Sequence, residues 1–230
     1  MNTRNVIAVI MGLCLTVSAS ATPLFVRGAP NLEPSREGKP YPPIMVPVGG
    51  DRLLSLDCPV TASVEKPVRG EWSLLTDGDK DNEQEDRSTL VKYAPGIQWV
   101  QVDLRTSQVI NAVCIWRFHE NPCVYRDVVV QVSNDVSFKD GVTTVFNNDH
   151  DNSAGLGVGL DKEYFELNEG RPIPVAGIRA RYVRVYSNGR YTWGEFDPFN
   201  YCTEIEVHGG ESESEEKVQI KFKRPRPIFQ

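Results

Sequence analysis

The 230-residue chain is predicted to fold as an all-β antiparallel sandwich, and three observations carry that expectation. Short runs rich in Val, Ile and aromatic residues alternate apolar with polar side chains between Arg52 and Val207. Clusters of Gly, Asn, Asp and Pro separate those runs at short intervals, as hairpins and sandwich corners require. Long amphipathic helices and internal repeats are absent from the pattern.

Residues 1–21 are set aside as an export signal. Arg4 supplies a positive start, Val6 to Val17 an apolar run, and Ala19-Ser20-Ala21 a small-residue cleavage pattern. The run is shorter than the ~20 apolar residues of a membrane-spanning helix. Cys14 raises a lipoprotein reading, but Leu13 stands where that pattern takes Gly or Ala. The mature chain is therefore expected to be secreted or periplasmic, without an integral membrane segment. Residues 22–50 read as a proline-rich linker, because Pro23, Pro30, Pro34, Pro40, Pro42, Pro43 and Pro47 block both helix and central strand. Such a segment is extended and semi-rigid, and Ile44 to Val48 is apolar enough to lie along a surface.

The domain is expected to span residues 51–209. Pro59 to Ser63 is a short extended run, and Gln98 to Leu104 alternates with Val100, Val102 and Leu104 on one face. Val109 to Phe118 and Asp127 to Ser133 continue the β pattern; Val142 to Phe146, Arg181 to Tyr186 and Cys202 to Val207 add three more runs. Gly70 to Ser88, GEWSLLTDGDKDNEQEDRS, opens as an alternating apolar strand, breaks at Asp77-Gly78-Asp79 and enters an acidic loop. Residues 210–230 change composition abruptly: glutamates alternate with serines, and Lys217 to Arg226 turns basic. Charge blocks of that kind read as a solvated tail. The alternation of Val218, Ile220 and Phe222 leaves an added edge strand open.

Without the signal, 24 basic residues face 31 acidic ones, a net charge of −7 that argues against nucleic acid as partner. The mature chain keeps Cys58, Cys114, Cys123 and Cys202. An even number in an exported protein suggests two disulfides. Cys114 and Cys123 flank a short turn and would bridge a hairpin, which leaves Cys58 and Cys202 to join the first and last strands. Four buried free thiols are the alternative; no pair has the CxxC spacing of a zinc site.

LSLDCPVTASVE, LLTDGDKD, QWVQVDL, VVVQVSND, ARYVRVYSNG and TEIEVHG, in that order, resemble the landmarks of discoidin (F5/8 type C) domains. That family includes family 32 carbohydrate-binding modules and fucose-binding lectins. The resemblance implies a jelly-roll β-sandwich of antiparallel sheets, galactose-binding-domain-like, with recognition loops at one end. Carried over by position, it also implies a structural calcium site. Leu74 and Asp79 would offer carbonyls, Asp77 a carboxylate, Ser88 a carbonyl or hydroxyl, Thr203 a carbonyl and Glu204 a carboxylate. Such a mixed oxygen shell suits calcium. Glu204 fits independently, because Ile205 and Val207 are the natural core-facing residues and leave Glu204 and Glu206 on the other face. The acidic insertion Glu83 to Asp86 departs from the family pattern just before Ser88. A solvated turn and a surface glutamate are the plainer alternative.

Fucose-binding relatives use a His and two Arg near the calcium loop. Arg117, His119 and Arg126 are the nearest equivalents, in a different spacing, so fucose specificity does not transfer. Trp72, Tyr93, Tyr191 and Trp193 offer aromatic faces for sugar rings, with core packing as the alternative for each. Asn147 to Asn152, followed by Gly155, Gly157 and Gly159, reads as a loop organised by side-chain-to-backbone bonds. The other reading lends Asp149, His150 or Asp151 to a ligand or second metal. Neither HExxH nor GxSxG is present, so catalysis finds no motif. The function expected is an exported non-catalytic module that binds carbohydrate, polysaccharide or glycoconjugate, with structural calcium. The alternative is an adhesion module whose linker and tail engage an envelope protein.

Overall fold

A computed structural model describes residues 29, 31–36, 39–80, 89–119, 122–192 and 195–222. The strands are β1 (Met45–Pro47), β2 (Arg52–Leu53), β3 (Val60–Ala62), β4 (Val91–Pro95), β5 (Gln98–Trp116), β6 (Cys123–Tyr125) and β7 (Val129–Ser133). They continue as β8 (Thr143–Asn147), β9 (Arg171–Ser187), β10 (Arg190–Thr192), β11 (Glu195–Asp197), β12 (Phe199–Cys202), β13 (Glu204–Gly209) and β14 (Lys217–Gln219). The expected signal segment lies outside the described residues.

The architecture is an all-β sandwich in which every strand pairing is antiparallel. The main sheet runs β2-β13-β5-β9-β7-β8, with β3 on β5; the small sheets β12-β4, β11-β10-β6 and β1-β14 accompany it. Strand β5 absorbs the run Gln98–Leu104 and most of the run Val109–Phe118, ending at Trp116. Its register against β9 shifts between Asp103 and Gln108, where Arg105 takes a positive φ of 66°, so an irregular corner joins both runs in one strand.

The core follows from two-residue periodicity. Val100, Val102, Val113 and Ile115 of β5 meet Val183 and Val185 of β9, Ile205 and Val207 of β13, and Tyr93 and Tyr201 from the small sheet β12-β4. Ala112 to Trp116 is an unbroken apolar run because both of its faces are covered. Val113 and Ile115 point inward. On the outer face Ala112 meets Val46 and Ile220, while Trp116 packs edge-on against Phe222 at 6.4 Å. The cover is a two-stranded ribbon in which Met45, Val46 and Pro47 pair with Gln219, Val218 and Lys217.

Two expectations are corrected. Gly70 to Ser88 does not open as a strand: Trp72–Thr76 is a 3-10 helix. The tighter turn brings Leu75 into full burial and Trp72 against Tyr93 at 5.7 Å, a juxtaposition of positions three apart that an extended strand would not give. The expected disulfides do not form; Cys58, Cys114, Cys123 and Cys202 are buried free thiols. Cys123 and Cys202 face the main core, whereas Cys114 lies on the other face of β5, opposite Glu206. The thiols of Cys58, Cys123 and Cys202 instead meet backbone carbonyls of Leu54, Phe118 and Trp116 at 3.3, 3.3 and 3.4 Å.

Candidate functional site

At one place the Asp77-Gly78-Asp79 turn meets the last strand of the main sheet. Gly78 has a φ of 84°, a conformation glycine adopts without a side-chain clash, and its N–H donates to Oε2 of Glu204 at 3.2 Å. The Asp79 N–H donates to Oδ1 of Asp77 at 2.8 Å, which closes the turn. Glu204 stands on the face of β13 opposite Ile205 and Val207 and is completely buried. Burial pushes its carboxyl up to about 9, partly opposed by the Gly78 N–H. Asp77 is likewise raised, chiefly by burial. Among the described residues, Oε1 of Glu204 and Oγ1 of Thr203 are buried without a hydrogen-bond partner. A buried carboxylate with an open oxygen, beside a second carboxylate, is chemistry that suits a hard cation. Leu74 lies in the 3-10 helix, Asp77 and Asp79 in the turn that follows it, and Thr203 and Glu204 at the junction of β12 and β13; Ser88 lies outside the described residues.

Next along β13, Glu206 sits in a cleft of about 640 Å³ lined also by Asp51, Leu56, Gly78 and Val218. Its carboxylate lies 2.5 Å from Nζ of Lys80 and 3.0 Å from Nε2 of His208. Burial acts to raise Glu206, but His208 and Lys80 outweigh it and hold the carboxyl below its ordinary value.

The predicted ligand residues separate into buried and surface groups. Arg117 and Tyr93 are fully buried and cannot meet a surface ligand, which corrects that expectation. The Arg117 guanidinium lies over the Tyr125 ring, donates to Oγ of Ser187 at 3.1 Å and is 3.6 Å from the carboxylate of Glu166. Trp72 is half-buried and donates through Nε1 to the Glu65 carbonyl at 3.1 Å. His119 is half-buried, with Nδ1 3.3 Å from the Arg117 carbonyl.

Arg126 and Tyr191 do come together. The guanidinium of Arg126 lies 5.7 Å from the Tyr191 ring centroid and 5.7 Å from that of Phe196. Those two rings are cross-strand partners on the hairpin β10–β11, 5.4 Å apart. Phe196 is 46% exposed, which leaves an aromatic face open to solvent beside a cation. Phe196 is the residue that sequence reasoning missed; its signal was the turn-flanking pair Tyr191 and Phe196 in RYTWGEFD. Trp193 lies outside the described residues.

Three carboxylates border this platform. One oxygen each from Asp127, Asp149 and Asp151 lies within 4.8 Å of the others, a group that could hold a metal ion. Asp127 and Asp151 are 3.6 and 4.0 Å from the Arg126 guanidinium. Asp149 is buried and already accepts the N–H groups of Ser153 and Ala154 at 3.0 and 2.8 Å. The loop also carries internal side-chain-to-backbone bonds. The Asn147 side chain accepts the Asp149 N–H and donates to the Gly157 carbonyl, and Asn152 accepts the Gly157 N–H. At Gly159 a Cβ would lie 2.4 Å from the Asn147 carbonyl oxygen, so only glycine fits.

No protein-family model matches the chain, and no curated protein matches it. Solved structures do. Chitosan-binding module 1 from the chitosanase/glucanase of Paenibacillus sp. IK-5 is 26% identical, with a TM-score of 0.46, over 69% of this chain and 99% of that module. The CBM32 of AlyQ, in complex with 4,5-unsaturated mannuronic acid, is 17% identical at a TM-score of 0.42, over 66% and 95%. An F-lectin from striped bass (Morone saxatilis) serum is 15% identical at 0.44, over 74% and 50%.

Proposed function

We propose that this chain is an exported, non-catalytic carbohydrate-binding module. The observation that carries the reading is the platform on the small sheet β11-β10-β6, where Arg126 stands over the paired rings of Tyr191 and Phe196. Sugar rings offer an apolar face to an aromatic ring and hydroxyls to a fork of donors, and this arrangement supplies both. Asp127, Asp151 and the buried Asp149 outnumber the single guanidinium at that rim. Coulombic balance therefore favours neutral or amine-bearing polysaccharides over anionic ones.

Calcium belongs to the same reading, as a structural ion. Asp77, Glu204 and the carbonyls of Leu74, Asp79 and Thr203 would hold it, with Ser88 as the sixth expected contributor. The ion would supply positive charge to two carboxylates that burial now disfavours, and would fasten the turn to β13. Its role is fixation, away from the recognition platform.

The test is binding of the full chain to soluble chitosan, a neutral galactan and alginate, each with calcium and with chelator. Retention on chitosan or galactan above alginate supports the proposal. Failure to bind any of the three would sink it.

A further inference from the structure

Ala29 and the segment Asn31–Arg36 precede the sandwich, yet Ala29 and Leu32 pack against the small sheet β11-β10-β6 that carries the platform. Leu32 forms a parallel bridge with Glu163. The Glu33 N–H donates to the Glu163 carbonyl at 2.9 Å, and the Asn31 N–H to the Glu163 carboxylate at 3.1 Å. Arg171 pins the following turn: its Nη1 is 2.6 Å from Oε1 of Glu33, and its guanidinium lies over Tyr164 at 4.4 Å and Tyr41 at 5.1 Å. Between these anchors Ala29 and Leu32 pack with Val124, Phe165 and Tyr191 in an apolar cluster separate from the main core.

Tyr191 is the ring that Arg126 and Phe196 share. Its strand β10 has three residues, and so have β6 and β11 on either side. A sheet of such short strands is marginal unless one face is covered. Ala29 and Leu32, from the leading segment, share the apolar cluster of Tyr191 with Phe165 and with Val124, its cross-strand partner on β6.

We propose that Ala29 and the segment Asn31–Arg36 form a wall of the recognition site, and that Leu32 is a positioning residue holding Tyr191 at the angle where Arg126 and Phe196 meet its ring. The link to ligand affinity rests on the carbohydrate reading; the link to hairpin order does not.

The experiment compares the full chain with Leu32→Ser, Leu32→Met and, as a reference for lost binding, Tyr191→Ala. Amide hydrogen exchange is read at Arg190–Thr192 and Glu195–Asp197, alongside exchange at the core strands β5 and β9. Affinity is read for chitosan, galactan and alginate. Leu32→Ser is expected to raise hairpin exchange about tenfold, with β5 and β9 unchanged, and to weaken polysaccharide binding by a similar factor. Leu32→Met is expected to restore both. Unchanged hairpin exchange in Leu32→Ser overturns the proposal, as does binding equal to or tighter than that of the unaltered chain. If the unaltered chain binds no polysaccharide, the carbohydrate reading falls, and the exchange data still decide whether the segment holds the hairpin.

Discussion

Gly78 and Glu204, 126 positions apart, are joined by one hydrogen bond of 3.2 Å between a backbone N–H and a buried carboxylate. That bond satisfies only one oxygen of Glu204, and the other is open among the described residues. A cation placed there would stabilise the folded chain in proportion to its occupancy. Calcium at about 100 times its dissociation constant is expected to add about 2.7 kcal/mol to unfolding, seen as a higher melting temperature than in chelator. Glu204→Gln removes the charged ligand, so the calcium-dependent shift should vanish. An equal shift in that variant would place the ion elsewhere.

The platform makes a second set of predictions. Phe196→Ala removes an exposed ring and is expected to lower polysaccharide affinity by about 1–2 kcal/mol, with little change in melting temperature. Arg126→Lys keeps the charge and loses the planar donors, so it should fall close behind. Isothermal titration and thermal melts separate these effects. Tyr93→Phe deletes only a buried hydroxyl, 3.4 Å from that of Ser187, and should leave affinity untouched.

The ribbon of β1 and β14 predicts where stability resides. Ile220 is 2% exposed and packs with Ala112 and Val46 on the outer face of the main sheet. Ile220→Ala is expected to cost about 2–4 kcal/mol, the range of a buried truncation. Chemical denaturation would detect it; a cost below about 0.5 kcal/mol would mean that the ribbon is decoration.

Buried Glu166 predicts a pH dependence. Burial pushes its carboxyl up to about 7, and Arg117 opposes the rise. Because the folded value lies above the unfolded one of 4.5, the folded state holds an extra proton between pH 4.5 and 7. The associated stability is present below the unfolded value and is lost as pH rises through 7, with a size on the order of 3 kcal/mol. Glu166→Gln should flatten that part of the stability profile, whatever it does to stability overall. A profile identical to that of the unaltered chain would assign the titration to another group.

The fold was legible where alternation is strong. Ile205 and Val207 point inward and so place Glu204 and Glu206 on the opposite face, as the pattern of TEIEVHG implies. The site was less legible, because strand pairing decides which face of an arginine or tyrosine meets water. In sequence Arg117 looks like a surface donor and Tyr93 like a stacking face, yet both face the interior of the sandwich. Phe196 had no alternating neighbours to mark it; only pairing with Tyr191 across a hairpin makes it part of a surface. The cysteines failed for the same reason: an even count says nothing of facing, and β5 turns Cys114 away from the core that holds Cys123. The 3-10 turn at Trp72–Thr76 was hidden because its residues are apolar at both periods.

The ribbon also bears on the order of assembly. Lys217–Gln219 must find Met45–Pro47 across nearly the whole domain, and β13 must reach β2 and β5 in the same way. Loop closure over such spans is costly until the sheet itself has formed, so these pairings belong to the slow millisecond-to-second regime of β-rich chains. Until they form, Trp116 and Ala112 are uncovered, and the nascent sheet presents an apolar face to any neighbour. A chaperone that recognises such a face would have a substrate for as long as the last strand is missing.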